Sequence, residues 1–417
     1  MTASTSIGAF VDPVATAALL RGAGLDVTDA RPEYLRHKPG ETTIVGYDLT
    51  TGEGGHARGY VRWCESEQRA ARILGKAAAR RPTQSPVGVA VVGLNPNAVF
   101  FGFPNDARLH RLRWYTTPRK LKRSLDGLRP AGLRCSGSKR VLEVIRYNPA
   151  RRAVARLHLA IVGGPAMDLL VRYSARPAAP ALAEAARHLR RHGVPTPAPI
   201  AQLEAGHVTI DEYVRGREPG GTHGEEGHLT TEIAAVLETL HSAPLPPLAA
   251  TRDAHTELDR ARAALTAVAR WDASLAGPAG SLSDLLVDSM PRADEPPTLL
   301  HGDLHRGNLL VGDDRLWLLD LDRTAVGPAA IDLGCLRADA IARDLRRPGS
   351  PPSTLARTDE AIDIYRSSNP NIDDRTIAWY TAVAVADQAL LAMRTLTPGW
   401  IEMSSALVGT AIGLCRR

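Results

Sequence analysis

His301-Gly302-Asp303-Leu304-His305-Arg306-Gly307-Asn308 is the stretch that decides how this 417-residue chain is read. It lies between two short apolar runs, Thr298-Leu299-Leu300 and Leu309-Leu310-Val311. A turn at Gly312-Asp313-Asp314 leads into Leu316-Trp317-Leu318-Leu319, a third apolar run that ends in Asp320. Two strands joined by a tight turn bring their loop ends together. Asp303, Asn308 and Asp320 are therefore expected at one mouth. Phosphoryl transfer asks for such a set: a carboxylate to take the proton of an attacking hydroxyl, and oxygen ligands for magnesium.

Outward from this loop the pattern is helical. Leu229–His241 carries apolar residues at helical spacing, and Glu257–Trp271 and Leu282–Met290 follow. Beyond Ala329 the chain reads as several helices, with a Pro/Ser loop near Pro348–Ser353. Towards the N-terminus the periodicity changes. Glu33-Tyr34-Leu35-Arg36-His37-Lys38-Pro39 aligns with Glu143-Val144-Ile145-Arg146-Tyr147-Asn148-Pro149, 110 residues on. At the same offset Tyr60-Val61-Arg62-Trp63 falls on Leu170-Val171-Arg172-Tyr173, Ile44 on Val154 and Leu49 on Leu159. Each copy reads as strand, Pro-containing turn, strand, loop and third strand, which predicts a duplicated sheet unit. Ser66–Ala79 and Pro180–His192 read as helices, Pro86–Phe103 as strands, Phe103–Asp106 as a turn and Val208–Val214 as a strand. Arg215–Gly227, with Gly220-Gly221, reads as a boundary loop. The expectation is an α+β chain in three parts: 1–105 as a cap with the first repeat, 106–216 as a second sheet, and 217–417 as a helical part, with a cleft between sheet and helical lobes.

Composition narrows the classes. Apolar residues make up 44% and charged residues 23%, which is ordinary for a packed protein. The net charge is +6, a small excess that suits a nucleotide ligand without favouring nucleic acid. Arg108–Arg123 is basic, with Trp114 and Tyr115 inside it. Such a run can bind single-stranded nucleic acid, but more often it is a solvated helix face. Four scattered cysteines show no metal-ligand spacing. The N-terminus has no signal-peptide pattern, and no stretch reads as long and uncharged enough to span a bilayer. A cytoplasmic protein with no membrane or nucleic-acid partner is expected.

The loop resembles the catalytic loop of the aminoglycoside phosphotransferase and choline kinase superfamily, which has a protein-kinase-like two-lobe fold. Leu318-Leu319-Asp320-Leu321-Asp322-Arg323 resembles its metal-binding strand, and Ile331-Asp332-Leu333-Gly334 the aspartate turn that follows. The resemblance implies ATP and Mg2+ as cofactors, Asp303 as catalytic base, and Asn308 and Asp320 as metal ligands, with Asp322 as a possible addition. It implies that Asp332 braces the loop, as His301 and His305 do on the simplest reading. Leu240-His241-Ser242 resembles the end of a helix that precedes the loop.

In the sheet lobe the resemblance places a phosphate-binding residue at Arg172, where the family expects lysine, with Glu184 as its helix partner. It places the adenine-binding hinge at Asp211, Glu212, Tyr213 and Val214, which otherwise read as an edge strand. No Gly-x-Gly-x-x-Gly opens the sheet; the turn Asn148-Pro149-Ala150-Arg151-Arg152 offers arginines instead. The first repeat resembles the cap of bacterial maltokinases and related amino-sugar kinases, which carry Gln where this chain has Asn308. The implied function is transfer of the ATP γ-phosphate to a hydroxyl of an antibiotic, aminoglycoside or amino sugar. A maltose-like sugar kinase and a non-catalytic regulatory protein of the same fold are the alternatives. Asp359, Asp363, Asp373, Asp374 and Glu402 are candidate acids for a cationic acceptor.

Overall fold

The computed structural model describes residues 7–112, 141–159, 166–219, 226–246, 250–291, 296–347 and 354–416. Trp114, Tyr115, most of the basic run, the Gly220-Gly221 pair and the Pro348–Ser353 loop lie outside these residues. The chain forms two compact units. One comprises Met1–Ala178, Ile200–Tyr213 and Arg394–Leu396; the other comprises Ala179–Pro199, Val214–Met393 and Thr397–Arg417. The α+β class is as expected.

The first unit opens with helix α1 (Pro13–Gly22), capped by Asp12, whose side chain accepts from the Ala15 amide at 2.7 Å. Strands β1 (Asp29–Lys38), β2 (Thr42–Thr50) and β3 (His56–Cys64) form an antiparallel meander. Helix α2 (Glu67–Ala79), capped by Ser66, leads to β4 (Val91–Asn95) and β5 (Ala98–Gly102). The sheet order is β1-β2-β3-β5-β4. A second sheet repeats it: β6 (Val141–Asn148), β7 (Arg152–Leu159), β8 (Met167–Ser174), β9 (Pro199–Leu203) and β10 (Val208–Glu212), in the order β6-β7-β8-β10-β9.

The repetition extends to register. Thr42 pairs with Cys64, and 110 residues on Arg152 pairs with Ser174. Gly59 pairs with Gly102, as Leu169 does with Glu212. Both β1–β2 and β6–β7 carry one bulge. The turn residues Gly40 and Ala150, also 110 apart, both have positive φ, 70° and 54°. The duplication thus covers five strands, two more than the meander read from sequence. It also places β10 inside its sheet, so the hinge candidates Asp211 and Glu212 are not on an edge.

The second unit contains α3 (Pro180–Arg191), α4 (Glu226–His241), α5 (Ala254–Ala269), α6 (Ala276–Asp288), α7 (Ala330–Arg346), α8 (Thr354–Ser368), α9 (Asp374–Arg394) and α10 (Trp400–Cys415). α5 starts three residues before the sequence reading because Asp253 and Thr256 form a reciprocal capping box. Between α4 and α5 comes β11 (Ala250–Thr251); after α6 come β12 (Thr298–Leu300), β13 (Leu309–Val311), β14 (Leu316–Leu318) and β15 (Ala325–Gly327). α9 corrects one expectation: it is long and apolar enough to cross a membrane. Its apolar window is 72% buried within the protein, and Trp379 donates to the Leu286 carbonyl at 2.9 Å. Its hydrophobicity serves the core.

Candidate active site

β12 runs antiparallel to β15, and β13 pairs with β14 as a short hairpin. The loop 301–308 joins the two pairs. Gly302 has φ +77°, and a Cβ there would sit 2.1 Å from the Arg323 carbonyl oxygen, so only glycine fits. Its carbonyl accepts a hydrogen bond from Arg252. The His301 and Gly302 amides donate to the Asp332 carboxylate at 2.7 and 2.8 Å. Asp332, in the first turn of α7, is fully buried. His241 Nε2 meets the same carboxylate at 3.3 Å, and His241 Nδ1 meets the Tyr365 hydroxyl at 2.8 Å. Burial alone would push the Asp332 carboxyl up. The His241 hydrogen bond, the charges of His241 and His301, and the Gly302 amide outweigh it and hold the carboxyl below the usual range.

The His301 ring bridges the two strand pairs. Its Nε2 lies 2.8 Å from the Leu319 carbonyl and its Nδ1 3.3 Å from the Asp303 amide. Leu319 in turn donates its amide to the Asn308 carbonyl at 2.8 Å. One backbone residue therefore ties His301 to Asn308, and the next residue is Asp320. Asp320 takes a left-handed conformation, φ 59° and ψ 65°, a geometry an aspartate tolerates better than most residues. The structure thus brings together the strand ends bearing Asp303, Asn308 and Asp320.

Asn308 is buried, and its side-chain nitrogen donates to the Asp303 carbonyl at 2.9 Å. That leaves its amide oxygen as the atom suited to a metal. With the Asp320 carboxylate it makes a hard-oxygen donor set, the kind magnesium prefers. The Asp303 carboxylate is 41% exposed and lies 3.1 Å from Arg323 Nη1. Burial pushes the His305 pKa down, against the pull of Asp339 and Asp303. Asp322 is exposed on the single turn Leu321–Arg323. The Arg306 amide donates to Asp339 at 3.1 Å, and Arg343 pairs with both Asp339 and Glu218. Gly334 lets α7 approach α9, since a Cβ would lie 2.6 Å from the Tyr380 backbone.

One element was not legible in sequence. Glu257 is buried between Arg252 and Arg260, and Arg260 also pairs with Asp387 of α9. Burial pushes the Asp387 carboxyl up; Arg260 and Arg323 pull it down, and Glu257 and Asp303 add to the rise. Asp387 therefore lies within electrostatic reach of Asp303. Of the acids expected for an acceptor, Asp359 pairs with Arg337, and Asp363 and Asp374 with Arg366. Asp373 accepts from the Thr376 amide at the start of α9, and Glu402 is exposed in α10.

Of the other candidates, Arg172, Asp211, Glu212 and Tyr213 lie in the first unit, Glu184 and Val214 in the second. Arg172 of β8 pairs with Asp211 of β10 at 3.3 Å. The Asp168 side chain, 5% exposed, is held at 2.7 Å by both Arg156 and His158. Arg156 also lies over the Tyr213 ring, 4.9 Å from its centroid. Glu212 and Val214 are half-buried. Glu184, the expected partner of Arg172, is 61% exposed and pairs with Arg187 and Arg191 of its own helix. Asp211, one strand away, gives Arg172 a carboxylate without any helix.

Residues 146–367, just over half of the chain, match the sequence model of the phosphotransferase enzyme family, abbreviated APH. No curated protein sequence matches the chain. Among solved structures, choline kinase from Cryptosporidium parvum is similar at 14% identity, covering 67% of this chain and 90% of that one, with a TM-score of 0.48. Macrolide 2'-phosphotransferase from Brachybacterium faecium gives 18%, 70%, 98% and 0.45. The aminoglycoside phosphotransferase APH(2")-IIa, solved with streptomycin and ATP, gives 13%, 71%, 97% and 0.46.

Proposed function

The chain belongs to the phosphotransferase enzyme family, a kinase acting on a hydroxyl acceptor, and we propose that it moves the γ-phosphate of ATP to a small amino-bearing alcohol with magnesium as cofactor. The single observation behind this reading is the Leu319 bridge, which joins the strand ends bearing Asp303, Asn308 and Asp320. Asp303 takes the acceptor's proton as its oxygen bonds to phosphorus and the bond to the leaving diphosphate breaks. Asn308 and Asp320 would hold the magnesium, which neutralises charge on the phosphates. His301, His305 and Asp332 keep the loop in shape. Asp322 is the additional candidate acid.

On the sheet side, Arg172 steadies phosphate oxygens, and the backbone of Asp211, Glu212, Tyr213 and Val214 meets the adenine. Glu184 is the weaker candidate, being engaged by Arg187 and Arg191. Residues 1–105 form the cap, 106–216 the nucleotide-side sheet and 217–417 the catalytic helical part. The acceptor class is an antibiotic, aminoglycoside or amino sugar; the Asp387 carboxyl, paired with Arg260, is a further acid within the field of Asp303. A maltose-like sugar kinase is the second reading, favoured by the duplicated sheet. A magnesium-dependent ATP-consumption assay over aminoglycosides, macrolides, amino sugars, choline and maltose separates them. Turnover with cationic acceptors is expected; turnover with maltose alone would overturn the acceptor assignment. No turnover together with no ATP binding would leave only a regulatory protein of this fold.

A further inference from the structure

The first sheet carries a cluster of arginines that the proposed chemistry does not use. Arg36 pairs across β1–β2 with Ile44, and Ile44 pairs across β2–β3 with Arg62. The two arginines therefore flank Ile44 on one face. The β6–β7 turn reaches the same face: Ala150 is buried in one cluster with Tyr34, Ile44 and Tyr60. A Cβ on Gly46 would lie 3.0 Å from the Pro149 ring. Arg151 follows directly; offered to the nucleotide on sequence grounds, it lies instead in the field of Arg36. Asp106 accepts from the amides of Arg108 and Ala150 at 2.7 and 2.8 Å, which brings Arg108 to the turn.

Among the described residues, these four guanidiniums have no acidic partner: no ion pair involves Arg36, Arg62, Arg108 or Arg151, whereas Glu33, Asp48 and Glu41 pair with Arg31, Lys38 and Arg69. Asp106 is taken up by four donors: three amides and the Tyr147 hydroxyl. Arg36 Nε and Arg62 Nε are buried with no hydrogen-bond partner. Burial lowers the Arg36 pKa, Tyr34 opposes this, and the charges of Arg108, Arg151 and Arg62 lower it further. An arginine does not shed its proton, and a buried donor without an acceptor is costly. A multivalent anion with several oxygens relieves both, and guanidinium forks suit phosphate.

We propose that Arg36, Arg62, Arg108 and Arg151 form a binding site for the phosphate group of a small phosphorylated molecule, separate from the nucleotide site. The position explains the choice of ligand. Arg62 is the register equivalent of Arg172, as Arg36 is of Arg146, so the duplicated sheet keeps its arginine row. Asp211, which pairs with Arg172, corresponds to Phe101 in the first sheet. The row remains while its internal carboxylate is gone, and an external anion takes that role.

The test is equilibrium binding of inorganic pyrophosphate to the full chain with saturating ADP present, at constant ionic strength. One equivalent should bind despite ADP. R36Q/R62Q should weaken it at least tenfold, and R108Q, at an exposed position, several-fold, with ADP affinity unchanged within twofold. The idea fails if ADP displaces the pyrophosphate, if none binds, or if R108Q and R36Q/R62Q bind it as the wild type does. If R36Q/R62Q does not fold, R108Q decides. Loss of ADP binding by the wild type would count against the kinase reading and leave this site untouched.

Discussion

The two sheets share strand order and register, yet their matching faces differ in chemistry. In the first, Ile44, Tyr60, Val99 and Phe101 pack with Ala70 and Ala77 of α2, and the Tyr60 and Phe101 rings stack at 4.8 Å. In the second, the positions matching Tyr60, Val99 and Phe101 are Leu170, Thr209 and Asp211, and Asp168, Arg156 and Arg172 bring charge to the sheet. Glycines mark the difference too. Gly59 and Gly102 stand where the second sheet has Leu169 and Glu212; the space beside them is filled by Phe100 and Ser85. The first face is filled by rings and small side chains beside Arg36 and Arg62; the second adds carboxylates to its arginines. Register alone therefore does not make a nucleotide site.

Exchange of side chains between the copies should expose this division. Phe101→Asp gives the first sheet the second sheet's carboxylate. It removes a fully buried ring and buries a charge, so it should cost at least about 4 kcal/mol, read by denaturant unfolding. A loss under about 1 kcal/mol would mean that the first sheet is not a filled layer.

In the helical unit, Asp332→Asn should cost about 3 kcal/mol, because a buried acceptor of two loop amides and His241 is weakened. Asp332 also has a pH signature. Its carboxyl lies below the usual range when folded, so its contribution is complete above the unfolded value, about 3.9. It is lost as pH falls through the lower folded value. Wild type should thus lose stability faster than Asp332→Asn below about pH 4; parallel curves would remove the carboxylate from the brace.

The smallest effect compares the equivalent arginines. Arg172→Ala should weaken ATP binding about tenfold, the size of a charge-assisted hydrogen bond. Arg62→Ala should leave it within twofold. Equal effects on ATP would erase the distinction between the sheets.

Much of this was legible in sequence. The repeat showed through Pro39/Pro149 and the Tyr60–Trp63 and Leu170–Tyr173 anchors, because a turn and a buried strand constrain residue type locally. β5 and β10 diverged in side chains while keeping register, and β4 and β9 kept only their place in the order, so their kinship became visible only in pairing. Asp303, Asn308, Asp320 and Asp332 were legible because one short loop, one hairpin and the helix start just beyond carry them. Asp387 and the Arg252–Glu257–Arg260 chain were not, since their meeting depends on helix packing across long separations. In sequence, Asp387 cannot be told from Asp359 or Asp374, which pair with Arg337 and Arg366 where Asp387 pairs with Arg260.

The central claim is that Asp303 takes the acceptor's proton while the rest of the site holds magnesium ATP. The direct measurement is turnover and ATP affinity of Asp303→Asn beside wild type, with whichever acceptor the panel identifies. The account predicts a loss of turnover of at least about a hundredfold, the low end for general-base catalysis, with ATP affinity within about threefold of wild type. Near-wild-type turnover by Asp303→Asn would contradict it.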